Sequence, residues 1–381
     1  MVFNSKLPNI GTTIFTEMSA LANEYKAINL SQGFPNYPSD PELSDLVQNA
    51  MKSGYNQYAP MAGSLDLRLA IANKYELLYQ SSYHPETEIT VTAGATQAIY
   101  TIISAFINPG DEVILFKPAY DCYQPAIEVN GGIPIPIQLD APDYVVDWSE
   151  VKSKVSSKTK MIIINSPHNP SGSIWTKADI LELEKLTQGT NIMILSDEVY
   201  EHIIFDGEEH QSVCRFNDLK SRSFITASFG KTFHNTGWKI GYCCAPKELM
   251  IEFRKVHQFN VFSVHHPSQK GIADYMANPG NYTNLNSFFQ RKRDLFLSLI
   301  KESRFKFKPS KGTYFQVLDF SDITDEKDVD FAKRLTIEKG IASIPLSVFN
   351  EDAKDDHVLR FCFAKTDETL IRAADILNKI N

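Results

Sequence analysis

Positive charge is in short supply along this chain. It carries 38 Lys and Arg against 46 Asp and Glu, a formal net charge of −8, and no segment is dense in basic residues. A protein that tracks a phosphate backbone needs a basic patch, so nucleic acid is not expected among its partners. Long apolar runs are missing too. Even Ile99 to Ile107 is broken by Thr and Ser and is far too short to cross a bilayer, so no membrane association is expected. The opening residues, MVFNSKLPNIGTTIFTEMSALA, lack a basic stretch followed by an apolar one and do not read as a signal peptide. Cysteine is sparse: Cys122, Cys214, Cys243, Cys244 and Cys362 form neither a CxxC pair nor a metal-ligand spacing. An odd, scattered set fits buried thiols in a reducing cytoplasm, with Cys243 and Cys244 as core strand residues.

What is present is ordinary globular composition. The 381 residues are 43% hydrophobic and 22% charged, enough for one large domain or two ordinary ones. No repeat or low-complexity segment interrupts them. Residues 1–40 read as loop-rich, with turns at Gly33, Pro35, Pro38 and Pro41. Beyond Asp40, helical spacing at Leu65 to Tyr79 is followed by a short strand at Glu88 to Thr92. A helix then opens at Gly94-Ala95-Thr96 and ends near Ile107, before the turn Asn108-Pro109-Gly110-Asp111.

Four runs then read as fully buried parallel strands: Glu112 to Phe116, Met161 to Ile164, Asn191 to Leu195 and Phe224 to Ala227. A polar helical pattern, Lys177 to Thr187, separates the second from the third. Strands alternating with helices predict a mostly parallel α/β sheet covered on both faces, with its ligand at the carboxyl ends of the strands. From about Leu285 the texture changes. An amphipathic helix with Arg291, Lys292, Arg293 and Asp294 on its wet side leads to a strand within Gly312 to Asp319. A helix (Asp328 to Lys339), the apolar Ile341 to Pro345, a strand (Val358 to Phe363) and a last helix follow. The expected division is an N-terminal arm and part of a small domain (1–40), a large domain (41–284) and a small C-terminal α+β domain (285–381).

Each buried strand delivers a polar group. Asn165 to Gly172 (NSPHNPSG) follows one, Ser196-Asp197-Glu198-Val199-Tyr200 the next, and Ser228-Phe229-Gly230-Lys231-Thr232-Phe233 a third. An amide, a carboxylate and an amine thus converge on one sheet edge, which marks a site rather than a surface. The chemistry that uses this set is carbanion stabilisation by a pyridinium. A partly neutral lysine amine condenses with a cofactor aldehyde, and a carboxylate keeps the ring nitrogen protonated. Lys231 and Asp197 are the candidates. Taken singly, a lysine after glycine is ordinarily solvated and an aspartate after a strand ordinarily caps a turn. Their order and placement together favour the site.

Ser228 to Tyr242, SFGKTFHNTGWKIGY, resembles the lysine segment of the class I/II aminotransferases, which are fold-type I enzymes dependent on pyridoxal 5′-phosphate (PLP). The similarity runs through SQGFPNYP (31–38), YAPMAG (58–63), TAGATQA (92–98), NSPHNPSG (165–172), SDEVY (196–200) and LRFCFA (359–364). It is strongest with the branch of methionine and kynurenine (glutamine) aminotransferases. The resemblance implies a large domain with a mostly parallel seven-stranded sheet between helices, a smaller α+β domain, and a homodimer with shared active sites. It implies Lys231 as the attachment point and proton shuttle, Asp197 at the ring nitrogen, Tyr200 and Asn169 at the phenolic oxygen, and Tyr120 on the ring face. Ala95 and Thr96, at a helix start, would cradle the phosphate with Ser228, Lys239 and a partner's Tyr58. Lys239 stands where many relatives have arginine, which changes the phosphate geometry but keeps the charge. Arg360, in an apolar strand, would clamp the substrate carboxylate with Asn165 and the Gly33 backbone.

The expected reaction is ping-pong transfer of an amino group to a 2-oxo acid, with methionine or an aromatic or large apolar amino acid as donor. A cysteine-conjugate β-lyase is the alternative on the same scaffold. A cofactor-sensing domain of a transcription regulator would need an N-terminal helix-turn-helix, for which no room precedes residue 31. A dinucleotide oxidoreductase would need a strand-borne GxGxxG. No metal site is expected, because the adjacent His265 and His266 project apart. His168, His234 and Trp238 are read as packing residues, and Ile14, Phe15, Tyr58 and Phe262 as shaping specificity.

Overall fold

The four runs expected as parallel strands form the middle of a seven-stranded sheet in the computed structural model, which describes residues 4–380. In chain order the strands are β1 (Ile28–Asn29), β2 (Ile89–Thr92), β3 (Glu112–Lys117), β4 (Ile133–Gln138), β5 (Thr159–Asn165), β6 (Met193–Asp197), β7 (Ser223–Ser228) and β8 (Gly241–Cys244). Then come β9 (Phe315–Asp319), β10 (Ile341–Ala342), β11 (Ile344–Pro345) and β12 (Val358–Cys362). The large sheet has the order β2-β8-β7-β6-β5-β3-β4, and only β8 runs against its neighbours.

Period-two alternation explains why these strands read as unbroken apolar runs. Val113, Leu115, Met161, Ile163, Leu195 and Phe224 face one layer, where Ala98, Ile99, Ile102 and Ile103 of the helix Gly94–Phe106 cover them. Ile114, Phe116, Ile162, Ile164, Ile194 and Ile225 face the other layer, under Leu67, Ile71, Ile180 and Leu183. Both faces are dry, so no polar residue alternates. β4 was not anticipated, because IPIPIQ places prolines at 134 and 136. It occupies the sheet edge beside β3, where a missing N–H leaves no inner ladder bond unmade.

A second core gathers Phe289, Phe296, Leu318, Phe320, Phe331, Leu359, Phe361 and Leu370 round the antiparallel sheet β11-β12-β9. The N-terminal arm joins it: β1 pairs in parallel with β10, and Cys362 donates its backbone N–H to the Leu30 carbonyl at 2.8 Å. Within the segment expected to be loop-rich lies a helix, Ile14–Glu24, capped by the Thr13 hydroxyl. Only Met18 and Ala22 of that helix are buried, too few for a clear sequence period. The expected helix Asp328 to Lys339 is α-helical to Arg334 and widens to a π-turn over Leu335–Lys339.

The wet face expected on Leu285–Ile300 is half wrong. Arg291 and Asp294 are exposed, but Lys292 and Arg293 are buried. Lys292 donates to the Lys365 carbonyl at 2.7 Å and pairs with Asp367 at 3.1 Å. Arg293 grips Asp206 with both terminal nitrogens at 2.7 Å and donates to the Ser310 carbonyl. Partners so distant in sequence leave no local mark.

A second buried charge stands directly behind the strand ends. Lys74, on the helix Leu65–Tyr79, pairs with Glu201, whose carboxylate also accepts from the hydroxyls of Tyr79 (2.7 Å) and Tyr242 (3.0 Å). Burial alone would raise the Glu201 carboxyl; Lys74, with His202 and the Tyr79 hydroxyl, brings it down to about 2 from 4.5. A carboxylate whose pKa falls on folding contributes stability above its unfolded value and loses it as pH drops toward the folded one. Lys74→Met strands that carboxylate and is expected to cost about 3–5 kcal/mol in urea unfolding at pH 7. A cost under about 1 kcal/mol, as for a surface pair, would contradict this reading.

Candidate active site

Register in the parallel sheet levels the strand ends. Asn165 lies beside Asp197 across β5 and β6, and Asp197 beside Thr226 across β6 and β7. Two residues further β7 ends at Ser228, and the single turn Phe229–Thr232 swings Lys231 back over the edge. From the far side the helix Gly94–Phe106 points its N-terminus at the same place. That close approach requires glycine twice. Gly94 has φ +78°, and a Cβ on Gly241 would stand 2.6 Å from the Ala227 carbonyl and 2.8 Å from the Gly94 carbonyl carbon.

The space left is a cavity of about 140 Å³. Ala95, Thr96, Tyr120, Asn165, Asn169, Asp197, Tyr200, Ser228, Lys231 and Lys239 all line it, joined by Gly94, Val199 and Thr236. Its two ends differ chemically. The helix N-terminus, the Ser228 hydroxyl and the Lys239 ammonium make one end anion-friendly. At the centre Asp197 is buried, and the Tyr123 hydroxyl donates to its Oδ2 at 2.6 Å. Burial pushes the Asp197 carboxyl up to about 6, against the opposing pull of Tyr123 and the Val199 N–H. Burial pushes the Lys231 amine down to about 8, helped by the charges of Arg360 and Lys239. At neutral pH the acid is therefore mostly ionised while about a tenth of the amine is free base.

Gly33, Arg360 and Tyr58 stand outside that lining. The Gly33 carbonyl accepts from Lys231 Nζ at 2.8 Å and from the Tyr314 hydroxyl. Arg360 is 1% exposed and lies between aromatic rings, its guanidinium carbon 3.8 Å from the Phe315 centroid and 5.2 Å from that of Phe15. Nη1 donates to Asn169 Oδ1 at 2.7 Å and Nη2 to the Ser31 carbonyl at 2.9 Å, while Nε has no partner among the described residues. Tyr58 is 81% exposed and meets the Phe262 ring edge-on at 5.3 Å, away from its own chain's cavity.

The pattern of the family described as aminotransferase class I and II matches residues 25–377. Methionine aminotransferase of Escherichia coli is 46% identical over 100% of this chain and 99% of its own. A crystal structure reported as identifying a methionine aminotransferase function in Escherichia coli superposes with a TM-score of 0.97 over all of both chains, also at 46% identity. Kynurenine–oxoglutarate transaminase of Dictyostelium discoideum is 32% identical over 98% of this chain and 95% of its own.

This chain belongs to the class I and II aminotransferases. It has their fold-type I architecture, uses pyridoxal phosphate, and moves amino groups between amino acids and 2-oxo acids. The cavity suits that cofactor: an anion-friendly end for a phosphate, a buried carboxylate for a ring nitrogen and an amine for an aldehyde.

Histidine plays no visible part in this aminotransferase site. His168 binds Ser171 Oγ at 2.6 Å, His265 binds Ser268 Oγ at 2.8 Å, and no cluster among the described residues could hold a metal. Trp238 packs at the core's edge and is only partly buried. Tyr123, Thr236 and Tyr314 escaped the sequence reading. Tyr123 alone left a trace, three residues after Tyr120 at the start of the helix Tyr123–Val129.

Only the neutral amine attacks an aldehyde. In the apoprotein, the rate at which added PLP forms its imine band should rise about tenfold per pH unit and level off near pH 8. Stopped-flow absorbance reads this directly, and a midpoint near 10 would contradict a dry lysine.

Proposed function

We propose that this aminotransferase prefers methionine or another amino acid with a large apolar side chain, and passes its amino group to a 2-oxo acid in a ping-pong exchange. The observation that carries the preference is the apolar frame round Arg360. Phe15 and Phe315 flank the guanidinium, and Phe349 packs on Phe15 with ring centroids 5.6 Å apart. A neighbouring cavity that shares Tyr120 is lined by Ile14, Ala119, Val348 and Phe349. Its one cation among the described residues, Lys117, is paired with Glu351 at 2.8 Å, and Asp121 adds a negative charge. A donor with a second carboxylate finds no counter-charge there. The methionine aminotransferase relative supports the same preference.

Bound in the cavity, PLP supplies an aldehyde to hold the amino nitrogen and a cationic ring to draw electrons from the α-carbon. Lys231 would be the attachment residue, and its amine would carry the proton from the substrate α-carbon. Asp197 holds the ring nitrogen protonated, Tyr200 and Asn169 bind the ring oxygen, and Tyr120 covers the ring face. Ala95, Thr96, Ser228 and Lys239 take the phosphate. Arg360 takes the substrate carboxylate with Asn165 and Gly33.

Exposed Tyr58 completes the phosphate site of a second copy, so the working form is a homodimer. The exposed aromatics Phe259 and Phe262 support an interface on that side. No helix among the described residues is long and apolar enough to cross a membrane, and all five cysteines are free thiols, which supports a cytoplasmic setting. One core that draws mainly on residues 285–381 and on Met18 and Leu30 of the arm, with Tyr200, Ile203 and Phe205 reaching into it, supports a division into a large domain (41–284) and a small one (285–381), with the arm 1–40 joined to the latter.

Borohydride reduction should fix PLP on Lys231, and Lys231→Ala should abolish turnover; an adduct on another lysine would end the reading. Arg360→Leu removes the carboxylate clamp and should lower kcat/KM for methionine about 100-fold. With the unaltered enzyme, methionine and phenylalanine should exceed aspartate as donors. Preference for aspartate would refute the specificity proposal.

A further inference from the structure

We infer that Tyr123 is a positioning residue for the cofactor, anchoring the Asp197 carboxylate in the orientation it offers to the ring nitrogen. The inference rests on the proposed role of Asp197 and assigns work to a side chain that lies outside the cavity lining. The Tyr123 hydroxyl donates to Asp197 Oδ2 at 2.6 Å, and both residues are 3% exposed, so water does not compete for that oxygen. The other oxygen, Oδ1, receives only a long backbone contact, Val199 N–H at 3.3 Å. Tyr123 is therefore the strong fixed contact of this carboxylate among the described residues.

The same ring stands edge-on to Tyr120, with centroids 5.8 Å apart and planes at 73°. One side chain thus braces both the acid and the aromatic wall. Simple core packing would not demand the hydroxyl: Tyr75 and Tyr83, equally buried in this protein, have hydroxyls with no partner among the described residues. Burial raises the Tyr123 phenol well above its ordinary value, as do the charge of Asp197 and nearby Cys122, so it stays a neutral donor throughout the working range. The titratable groups facing the pair are Glu198 and Lys231 round Asp197, and Cys122 and Tyr120 round Tyr123.

A hydrogen bond to the ionised form lowers a carboxyl's pKa, and removing it raises that pKa. The test is the affinity of apoprotein for PLP between pH 5 and 8, read by absorbance titration. Affinity of the unaltered protein should fall as pH drops through about 6, where Asp197 becomes protonated. Tyr123→Phe should move that fall upward by about one pH unit, leaving binding about fivefold weaker at pH 6. Replacement of Tyr123 by 3-fluorotyrosine, a stronger donor, should move it downward, which separates the effect from poor folding. Tyr75→Phe should leave it in place. A fall unmoved in Tyr123→Phe, or moved as far in Tyr75→Phe, overturns the inference. Asp197→Asn distinguishes the two readings: retention of the fall in that variant refutes the role of Asp197 itself.

Discussion

Register in a parallel sheet decides where each strand stops, and in this protein three neighbouring strands stop together. Asn165 and Asp197 are paired residues, and Ser228 ends the next strand two positions beyond the partner of Asp197. Because β5, β6 and β7 are dry on both faces, the charged and amide side chains they carry stand at or next to their ends. A one-residue slip would turn Asp197 to the opposite face. The apolar runs that build the core are therefore also the rulers that place the site.

Dryness has a second consequence. An amine and a carboxylate share one cavity, a guanidinium is buried beside the cavity's Asn169, and burial pushes each toward its neutral form: Lys231 down, Asp197 up, Arg360 down. The fold answers Asp197 with the Tyr123 hydroxyl and Arg360 with Asn169, the Ser31 carbonyl and two aromatic faces. Lys231 receives the Gly33 carbonyl and the more distant faces of Tyr200 and Tyr314 but no carboxylate, and its basicity stays lowered. The buried Glu201, next to Tyr200 in the chain, is matched by Lys74 instead, which makes it structural.

The parts legible in the sequence were those carried by local pattern. Buried strands, the helix opening at Gly94 and the residues just past each strand all follow from runs of a few residues. Side chains whose meaning depends on a distant partner were not legible. Lys292 and Arg293 looked solvated because Asp367 and Asp206 lie 75 and 87 residues away. Nothing in the helical pattern Leu65 to Tyr79 singles out Lys74, whose partner Glu201 is 127 residues further on. Tyr123 gave a spacing but no hint of its acceptor, and β4 was hidden by prolines that only an edge tolerates. Tyr58 is a different case: its ring is exposed in the single chain and meets only the edge of Phe262.

The arm Ser31 to Gly33 ties the two cores together at the site. The Ser31 carbonyl holds Arg360 of β12, and the Gly33 carbonyl holds Lys231 of the large-sheet edge and Tyr314 beside β9. A three-residue segment thus touches the residues proposed for substrate capture and for cofactor attachment. Gly33 is packed so closely that a Cβ there would stand 2.9 Å from the Phe315 ring. Its carbonyl can serve a protonated or neutral amine alike, because in both forms the amine donates. The Gly33 carbonyl also accepts from Tyr314 and the Ser31 carbonyl from Arg360, so two contacts hold the arm without Lys231. Neither contact depends on the charge of the lysine.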